Sequence, residues 1–235
     1  MRSEPIGVGD IAHVIKRGAR GMEIVRDLAD SKKFETALCL LNDTYQDPNW
    51  LQAIRGLPHL ARPTYWPERE SLVHILAWTL VPNHFHLLVQ EIREGGTALF
   101  MQRLCGSMTL AHNAKYGESG SLFQGPYKSK VVGQDRYLRY LAFYIQVKNV
   151  LEQRPGGLRH ALKEFDAAWE WAIEFPHSSL GAYMTGSGSP IVENTLLVEL
   201  FPDVQEFKKE AREMLLLHIE RHESEYGAFT LEPYE

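Results

Sequence analysis

The sequence has few of the features that define several protein classes. Among 235 residues there are only two cysteines, Cys39 and Cys105, and their spacing fits neither a disulfide framework nor a cysteine-based zinc site. No segment approaches the roughly 18 consecutive apolar residues of a membrane span, and the first ten residues contain no apolar signal segment. We therefore expect a soluble, cytoplasmic protein in a reducing compartment, with no membrane partner.

A net positive charge, which is typical of nucleic-acid-binding proteins, is also absent, since the formal net charge is −5. The charge is nevertheless unevenly distributed. Residues 101–150 contain seven Lys and Arg against two Asp and Glu, whereas residues 151–235 contain seven against sixteen. An anionic partner would therefore meet the basic middle of the chain. Alternatively, the acidic C-terminal part is simply a solvated helical face.

Hydrophobic periodicity predicts the order strand–helix–strand–strand–helix–strand, followed by further helices. The predicted strands are 11–17, 72–80, the segment after Asn83 and 129–132, and the predicted helices are 31–44, 97–115, 134–150, 158–173 and 203–224. Residues 45–70 and 178–190 are predicted to be loops, and Asp30 or Ser31 and then Thr97 to cap the first two helices. This order is typical of an α+β, ferredoxin-like antiparallel sheet with helices on one face. We predict a ferredoxin-like domain at 8–152 and a C-terminal helical extension at 153–235.

Two histidines stand one residue apart in the apolar stretch VPNHFHLLV, residues 81–89. Successive side chains of a strand point to opposite faces, so His84 and His86 would share one face. Neutral imidazole is the commonest metal ligand, and such a pair is half of a divalent-metal site. His13 on the first strand would lie close and either orient a ligand imidazole or be an ordinary core residue. Ordinary hydrogen-bonded histidines remain an alternative for the pair as well.

The helix predicted over residues 134–150 carries three tyrosines, Tyr137, Tyr140 and Tyr144, at spacings that form one stripe. Such a stripe is commonly packing, but a phenol can also be a nucleophile beside a metal that polarises a phosphodiester. Lys148 shares the face of Tyr144. Basic and aromatic residues of this region could contact a phosphate backbone and stack on unpaired bases, unless the aromatics are core. The candidate DNA-binding set is Lys115, Lys128, Lys130, Arg136, Arg139, Lys148, Phe123 and Tyr127.

Several of these segments resemble one known family. VPNHFHLLV is similar to MPNHxHLLV, a signature of the REP-associated tyrosine transposases, which are single-tyrosine HUH transposases. Four other segments resemble the family in the same order along the chain: HVIKRGARGMEIVRD, AHNAKYGESGSLFQGPYKSKVV, YLRYLAFYIQVKNV and FPHSSLGAYMTG. The resemblance extends over residues 11–186.

The resemblance implies a specific chemistry. His84 and His86 match the ligands of Mg²⁺ or Mn²⁺, Tyr144 matches the nucleophile, and residues 8–152 match the catalytic domain. In the family, the tyrosine attacks single-stranded DNA at the foot of a hairpin formed by palindromic repeats. The products are a 5′-phosphotyrosine and a 3′-hydroxyl that can later rejoin strands. The resemblance also favours a monomer over a homodimer.

Three positions depart from the family pattern. Lys148 occupies the place of an asparagine that completes the metal site, so Gln146 or Asn149 becomes the candidate third ligand. Pro126 and Glu118 stand where arginines are usual. These departures leave open a DNA-binding protein that recognises repeat hairpins with little or no cleavage. A third alternative is a phosphodiesterase that uses water in place of the tyrosine.

Overall fold

The computed structural model describes residues 5–220. Its centre is a four-stranded antiparallel sheet with the strand order β2-β3-β1-β4. The strands are β1 (Ile11–Arg17), β2 (Val73–Val81), β3 (His84–Glu91) and β4 (Lys128–Val131). This is the ferredoxin-like order, which confirms the predicted α+β fold.

The helices fall into two groups along the chain. The first group lies before β4 and comprises α1 (Leu28–Leu40), the short α2 (Trp50–Ala53) and α3 (Gly96–Tyr116). The second group comprises α4 (Asp135–Phe143), a π-helical turn (Tyr144–Lys148), α5 (Asn149–Leu151), α6 (Gly157–Lys163), α7 (Phe165–Glu174), α8 (Leu180–Thr185), α9 (Thr195–Leu200) and α10 (Val204–Glu220). The predicted end of the last helix at 224 lies outside the described residues. No helix within residues 5–220 is both long and apolar enough to cross a membrane.

The two faces of the sheet pack into two different cores, because side chains alternate along each strand. On one face, Val14 and Phe85 pack with Phe34 of α1 and Leu104 of α3. The opposite face is covered by α4 and the helices that follow it, so the sheet is enclosed on both sides.

The second core contains residues from before and after position 152. Ala77 and Leu88 of the sheet belong to it together with Leu141 of α4, Trp169 of α7 and Phe207 of α10. The predicted domain boundary at 152 therefore does not separate two cores, and the division into 8–152 and 153–235 stays a prediction.

The predicted caps of the first two long helices were wrong. The carboxylate of Asp27 accepts the Asp30 N–H at 3.0 Å and starts α1 three residues early, while the Asp30 carboxylate accepts the Arg26 N–H at 2.9 Å. Helix α3 begins after Gly95, and Thr97 lies inside it, where its N–H donates to the Glu91 carboxylate at 2.9 Å. In both cases a nearby carboxylate accepts from an N–H group of the first turn that has no partner within the helix.

The segment before α8 protects the outer edge of β2. The Leu80 N–H donates to the His177 carbonyl at 2.9 Å, and the Ser179 N–H donates to the Trp78 carbonyl at 3.0 Å. These bonds satisfy backbone groups of an edge strand that would otherwise be open to pairing with another chain. The predicted loop at 178–190 therefore contains a helix, α8. The other predicted loop, 45–70, contains the short helix α2.

We predict that α10 is an integral part of the fold. Phe207 is 1% exposed and packs against the rings of Trp169 and Phe201, so Phe207→Ala should lower the free energy of unfolding by about 3–5 kcal/mol. Leu216→Ala on the same helix, where the side chain is 39% exposed, should change it by no more than about 0.5 kcal/mol. Urea unfolding of both variants measures the difference, and equal, small losses would contradict the packing described here.

Candidate active site

The register of the sheet brings the chemically active residues of three strands to one face. In the pairing of β1 with β3, Ile15 lies opposite His86 and Arg17 opposite His84, and in the pairing of β2 with β3, Thr79 lies opposite His86. Residues directly opposite each other share a face. This face is the one that α4 and the π turn cover.

Tyr144 lies directly against His86, which in turn contacts His84. The ring centroids of His84 and His86 are 4.9 Å apart, and those of His86 and Tyr144 are 5.6 Å apart. His86 is completely buried and Tyr144 is 2% exposed, whereas His84 is partly exposed. The structure therefore places the predicted metal ligands and the predicted nucleophile in one cluster.

Hydrogen bonds orient both imidazoles. The Nδ1 atom of His84 is 2.6 Å from the Asn83 side-chain oxygen, and because an amide oxygen only accepts, His84 donates this bond. The Nδ1 atom of His86 is 2.9 Å from Nε2 of His13. Since both Nδ1 atoms are engaged, Nε2 is the nitrogen through which each histidine would bind a metal.

The nucleophile candidate begins a π-helical turn. The Asn149 N–H donates to the Tyr144 carbonyl, five residues earlier, and the Thr79 hydroxyl donates to the Ile145 carbonyl. A π turn contains one more residue than an α turn, and such turns are frequent at functional sites. Lys148 and Asn149 therefore both lie one turn beyond Tyr144, although the sequence spacing had placed only Lys148 there.

The two candidates for a third ligand differ in their surroundings. The Gln146 side-chain oxygen accepts a hydrogen bond from the Ser179 hydroxyl at 3.0 Å, which engages it at the β2 edge. Gln146 and Asn149 are both buried, and the side-chain nitrogen of each has no hydrogen-bond partner among the described residues. They differ in the hydrogen bond from Ser179, which occupies the oxygen of Gln146, and for this reason we take Asn149 as the better candidate ligand.

The donor set is limited to two imidazoles and an amide. Within residues 5–220 there is no group of three or more His, Cys, Asp or Glu side chains arranged to hold a metal ion. Imidazole nitrogens from His84 and His86 with the Asn149 oxygen fit a divalent cation that accepts both nitrogen and oxygen ligands. Water or a substrate oxygen would complete its coordination.

Lys148 adds a positive charge beside the tyrosine. Its Nζ atom lies 4.9 Å from the centroid of the Tyr144 ring and 2.9 Å from the Glu152 carboxylate. The side chain is only 4% exposed, and Glu152 compensates the cost of burying an ammonium group. At this position Lys148 attracts a phosphate group and repels a divalent cation.

Three of the basic residues predicted to bind DNA lie around this cluster. Lys130 pairs with His13 across the sheet, and its Nζ atom is 5.1 Å from the centroid of the Tyr137 ring. Lys128, opposite Ile15, is exposed on the same face, and Arg136 is exposed in the first turn of α4. Arg17, which the sequence analysis missed, lies beside His84. It could have been found from the alternation of β1, which puts His13 and Arg17 on the same face of the sheet.

Other members of the predicted DNA-binding set lie elsewhere. Lys115 binds the carboxylates of Asp27 at 2.6 Å and Asp30 at 2.7 Å, and these hydrogen bonds raise the pKa of its ammonium group. Arg139 pairs with Glu210 at 3.1 Å and stacks over Phe201. Both cations thus stabilise contacts within the fold.

The two predicted stacking aromatics are core residues. Phe123 is 3% exposed and Tyr127 is 8% exposed, and both belong to the core beneath α1 and α3. Neither ring offers a face on which a base could stack in this structure. Packing, the alternative that the sequence analysis left open for these residues, describes their positions.

One of the three departures from the family pattern lies away from the cluster. The Glu118 carboxylate accepts hydrogen bonds from Arg26 at 2.8 Å and from His112 at 3.2 Å, and the bond from Arg26 lowers the pKa of this carboxyl group. Its charge is thereby compensated locally. Pro126 is exposed just before β4, and Lys148 is the departure that touches the site.

The fold and the cluster define an α+β protein with a ferredoxin-like sheet that presents two histidines to a buried tyrosine. No protein-family model matches the sequence, and no curated protein matches it. The chain is similar to a solved structure of a REP-associated tyrosine transposase bound to a REP hairpin, with a TM-score of 0.43 and 12% sequence identity over 83% of this chain and 94% of that chain.

We predict that Lys128, on the sheet face of the histidines, contributes to DNA binding, whereas Lys115, in the last turn of α3, does not. Lys128→Met should reduce the salt dependence of binding to a hairpin oligonucleotide by about one unit of slope in a plot of log K against log salt. Lys115→Met should leave the slope unchanged, because Asp27 and Asp30 already neutralise this lysine. Fluorescence anisotropy titrations measure both slopes. An equal reduction in the two variants would contradict the assignment of the binding face.

Proposed function

We propose that this protein is a DNA transposase of the tyrosine HUH type, an endonuclease and strand transferase that cleaves and rejoins single-stranded or hairpin DNA. The observation that carries the proposal is the contact of Tyr144 with His86, next to His84 and beneath Lys148. A phenol, two imidazoles and an ammonium group in one cluster suit phosphodiester chemistry. The sequence resemblance assigns the same roles to His84, His86 and Tyr144.

The reaction is a transesterification at phosphorus. The Tyr144 Oη atom forms a bond to the phosphorus, the bond from phosphorus to the 3′ oxygen breaks, and the phenolic proton passes to that oxygen. The products are a 5′-phosphotyrosine and a 3′-hydroxyl. Because the bond energy is conserved in the linkage, attack by a 3′-hydroxyl reverses the reaction and joins strands without another reactant.

A divalent cation, Mg²⁺ or Mn²⁺, belongs to this proposal. His84 and His86 would hold it through their Nε2 atoms, with the Asn149 oxygen as third ligand. When bound, the cation polarises the scissile phosphate and offsets the charge that develops there. Lys148 contributes a second positive charge from the side of the tyrosine.

The burial of Tyr144 favours single-stranded DNA as the substrate. The tyrosine is 2% exposed and the Lys148 ammonium lies over its ring, so little of the phenol is open to a bulky substrate. A flexible single strand enters such a recess more readily than a duplex. Arg17, Lys128 and Arg136 surround the cluster and would hold the strand by its backbone.

The arrangement of the tyrosine helix favours a monomer. Tyr144 and its neighbours pack on the sheet of their own chain, and α10 packs over α4 in the same core. In the proposed monomer, the histidines and the tyrosine of one site come from the same chain.

We predict that Tyr144→Phe abolishes covalent attachment to DNA. Wild-type protein incubated with Mn²⁺ and a labelled single strand carrying the palindromes that flank its own gene should form an adduct that survives denaturing electrophoresis. Tyr140→Phe is the matched control, since its ring lies 5.8 Å from that of Tyr144 on the same helix and should leave the adduct intact. Strand cleavage that persists in Tyr144→Phe would favour a phosphodiesterase that uses water.

A second candidate function is hairpin binding without cleavage, and the observation that favours it is the buried ammonium of Lys148 beside Tyr144. If this charge excludes the cation, wild type shifts a hairpin in a native gel but forms no adduct. Lys148→Asn should then gain adduct formation, whereas Lys148→Arg, which keeps the charge, should not. An adduct in wild type removes this candidate.

A further inference from the structure

His13 is a buried polar residue in the middle of the sheet. It lies on β1, is completely buried, and its Nε2 atom is 2.9 Å from Nδ1 of His86, which is also completely buried. The two rings are nearly parallel, with an interplanar angle of 17° and centroids 5.1 Å apart. His13 also meets the edge of Tyr144, at 6.2 Å between centroids.

The hydrogen bond between the two histidines relates their tautomers. Exactly one proton can lie between the two nitrogens, so one imidazole donates and the other accepts. A histidine that binds a metal through Nε2 carries its proton on Nδ1. His86 can therefore serve as a ligand only if it donates from Nδ1 and Nε2 of His13 accepts.

We propose that His13 is a positioning residue that holds His86 in its metal-binding tautomer and orientation. The inference rests on the proposed function, because it assigns His13 a role toward the same cation. Asn83 has the corresponding role for His84, whose Nδ1 atom it engages at 2.6 Å. His84 is then oriented by its neighbour in sequence, Asn83, and His86 is oriented by His13 of the adjacent strand.

The location of His13 explains why a histidine serves there. The residue pairs with Leu88 across the sheet and lies two residues along β1 from Ile15, which is opposite His86, so its side chain must extend diagonally to reach the ligand. It must also accept a hydrogen bond in a site without exposure to water. Phenylalanine would fill the same space but offers no acceptor, which makes it a suitable test of the hydrogen bond alone.

The first test reads the tautomer directly in metal-free protein. Nitrogen-15 NMR of the histidine rings should show His86 protonated at Nδ1 in wild type and in His13→Gln, whose side-chain oxygen keeps an acceptor. In His13→Phe this preference should be lost. Protonation of His86 at Nε2 in wild type would overturn the proposal whether or not the protein cleaves DNA.

The second test measures the affinity for Mn²⁺ by electron paramagnetic resonance. His13→Phe should bind Mn²⁺ about 10–100-fold more weakly than wild type, as expected for loss of a partner that orients a ligand. His13→Gln should recover most of the affinity, and it remains informative if the phenylalanine variant does not fold. Equal affinities in wild type and both variants would overturn the role of His13 alone. A wild type that binds no Mn²⁺ would instead contradict the metal site of the proposed function.

Discussion

The antiparallel pairing of β1 with β3 determines which residues meet at the candidate site. Because the strand period is two, His84 and His86 face the tyrosine helix while Phe85 and Leu87 enter the opposite core. A slip of one residue would exchange the two sets and place phenyl and isobutyl groups where the chemistry is proposed. The cost of moving Phe85 out of its core, where it contacts Phe34, protects this register.

The helices after β4 give the site its environment. They enclose the second face of the sheet, so that His13, His86, Tyr144 and Lys148 lie almost entirely out of water. Electrostatic interactions are stronger in such surroundings, and so each buried polar group needs a partner. Glu152 therefore stabilises the buried Lys148, and His13 stabilises the buried His86.

Local patterns made much of the fold predictable. The strand at 11–17 and the shared face of His84 and His86 follow from apolar alternation, and the structure has both. The π turn after Tyr144 was not predictable, because no residue in YIQVK distinguishes it from an α turn. It is a tertiary effect, in which the Thr79 hydroxyl takes up the Ile145 carbonyl. As a result the sequence spacing placed Lys148, and not Asn149, one turn beyond Tyr144.

The structure places members of the predicted DNA-binding set in surroundings that the sequence does not reveal, for a related reason. Whether a cation is available to a ligand depends on partners that are distant in sequence, and Lys115 meets Asp27 while Arg139 meets Glu210. Phe123 lies between basic residues in the sequence but under α1 and α3 in space. Lys128 and Lys130, by contrast, lie on a strand whose alternation already directs them to the face of the histidines.

If Tyr144 is the nucleophile of a DNA-cleaving site, the DNA becomes attached to its oxygen, and mapping the attached nucleotide tests this most directly. Wild-type protein would be reacted with single-stranded DNA and Mn²⁺, digested with nuclease and protease, and analysed by tandem mass spectrometry. We expect one peptide that carries a nucleotide through a phosphate ester, with the added mass on Tyr144. A modification on Tyr137 or Tyr140, or cleaved DNA with no modified peptide, would contradict it.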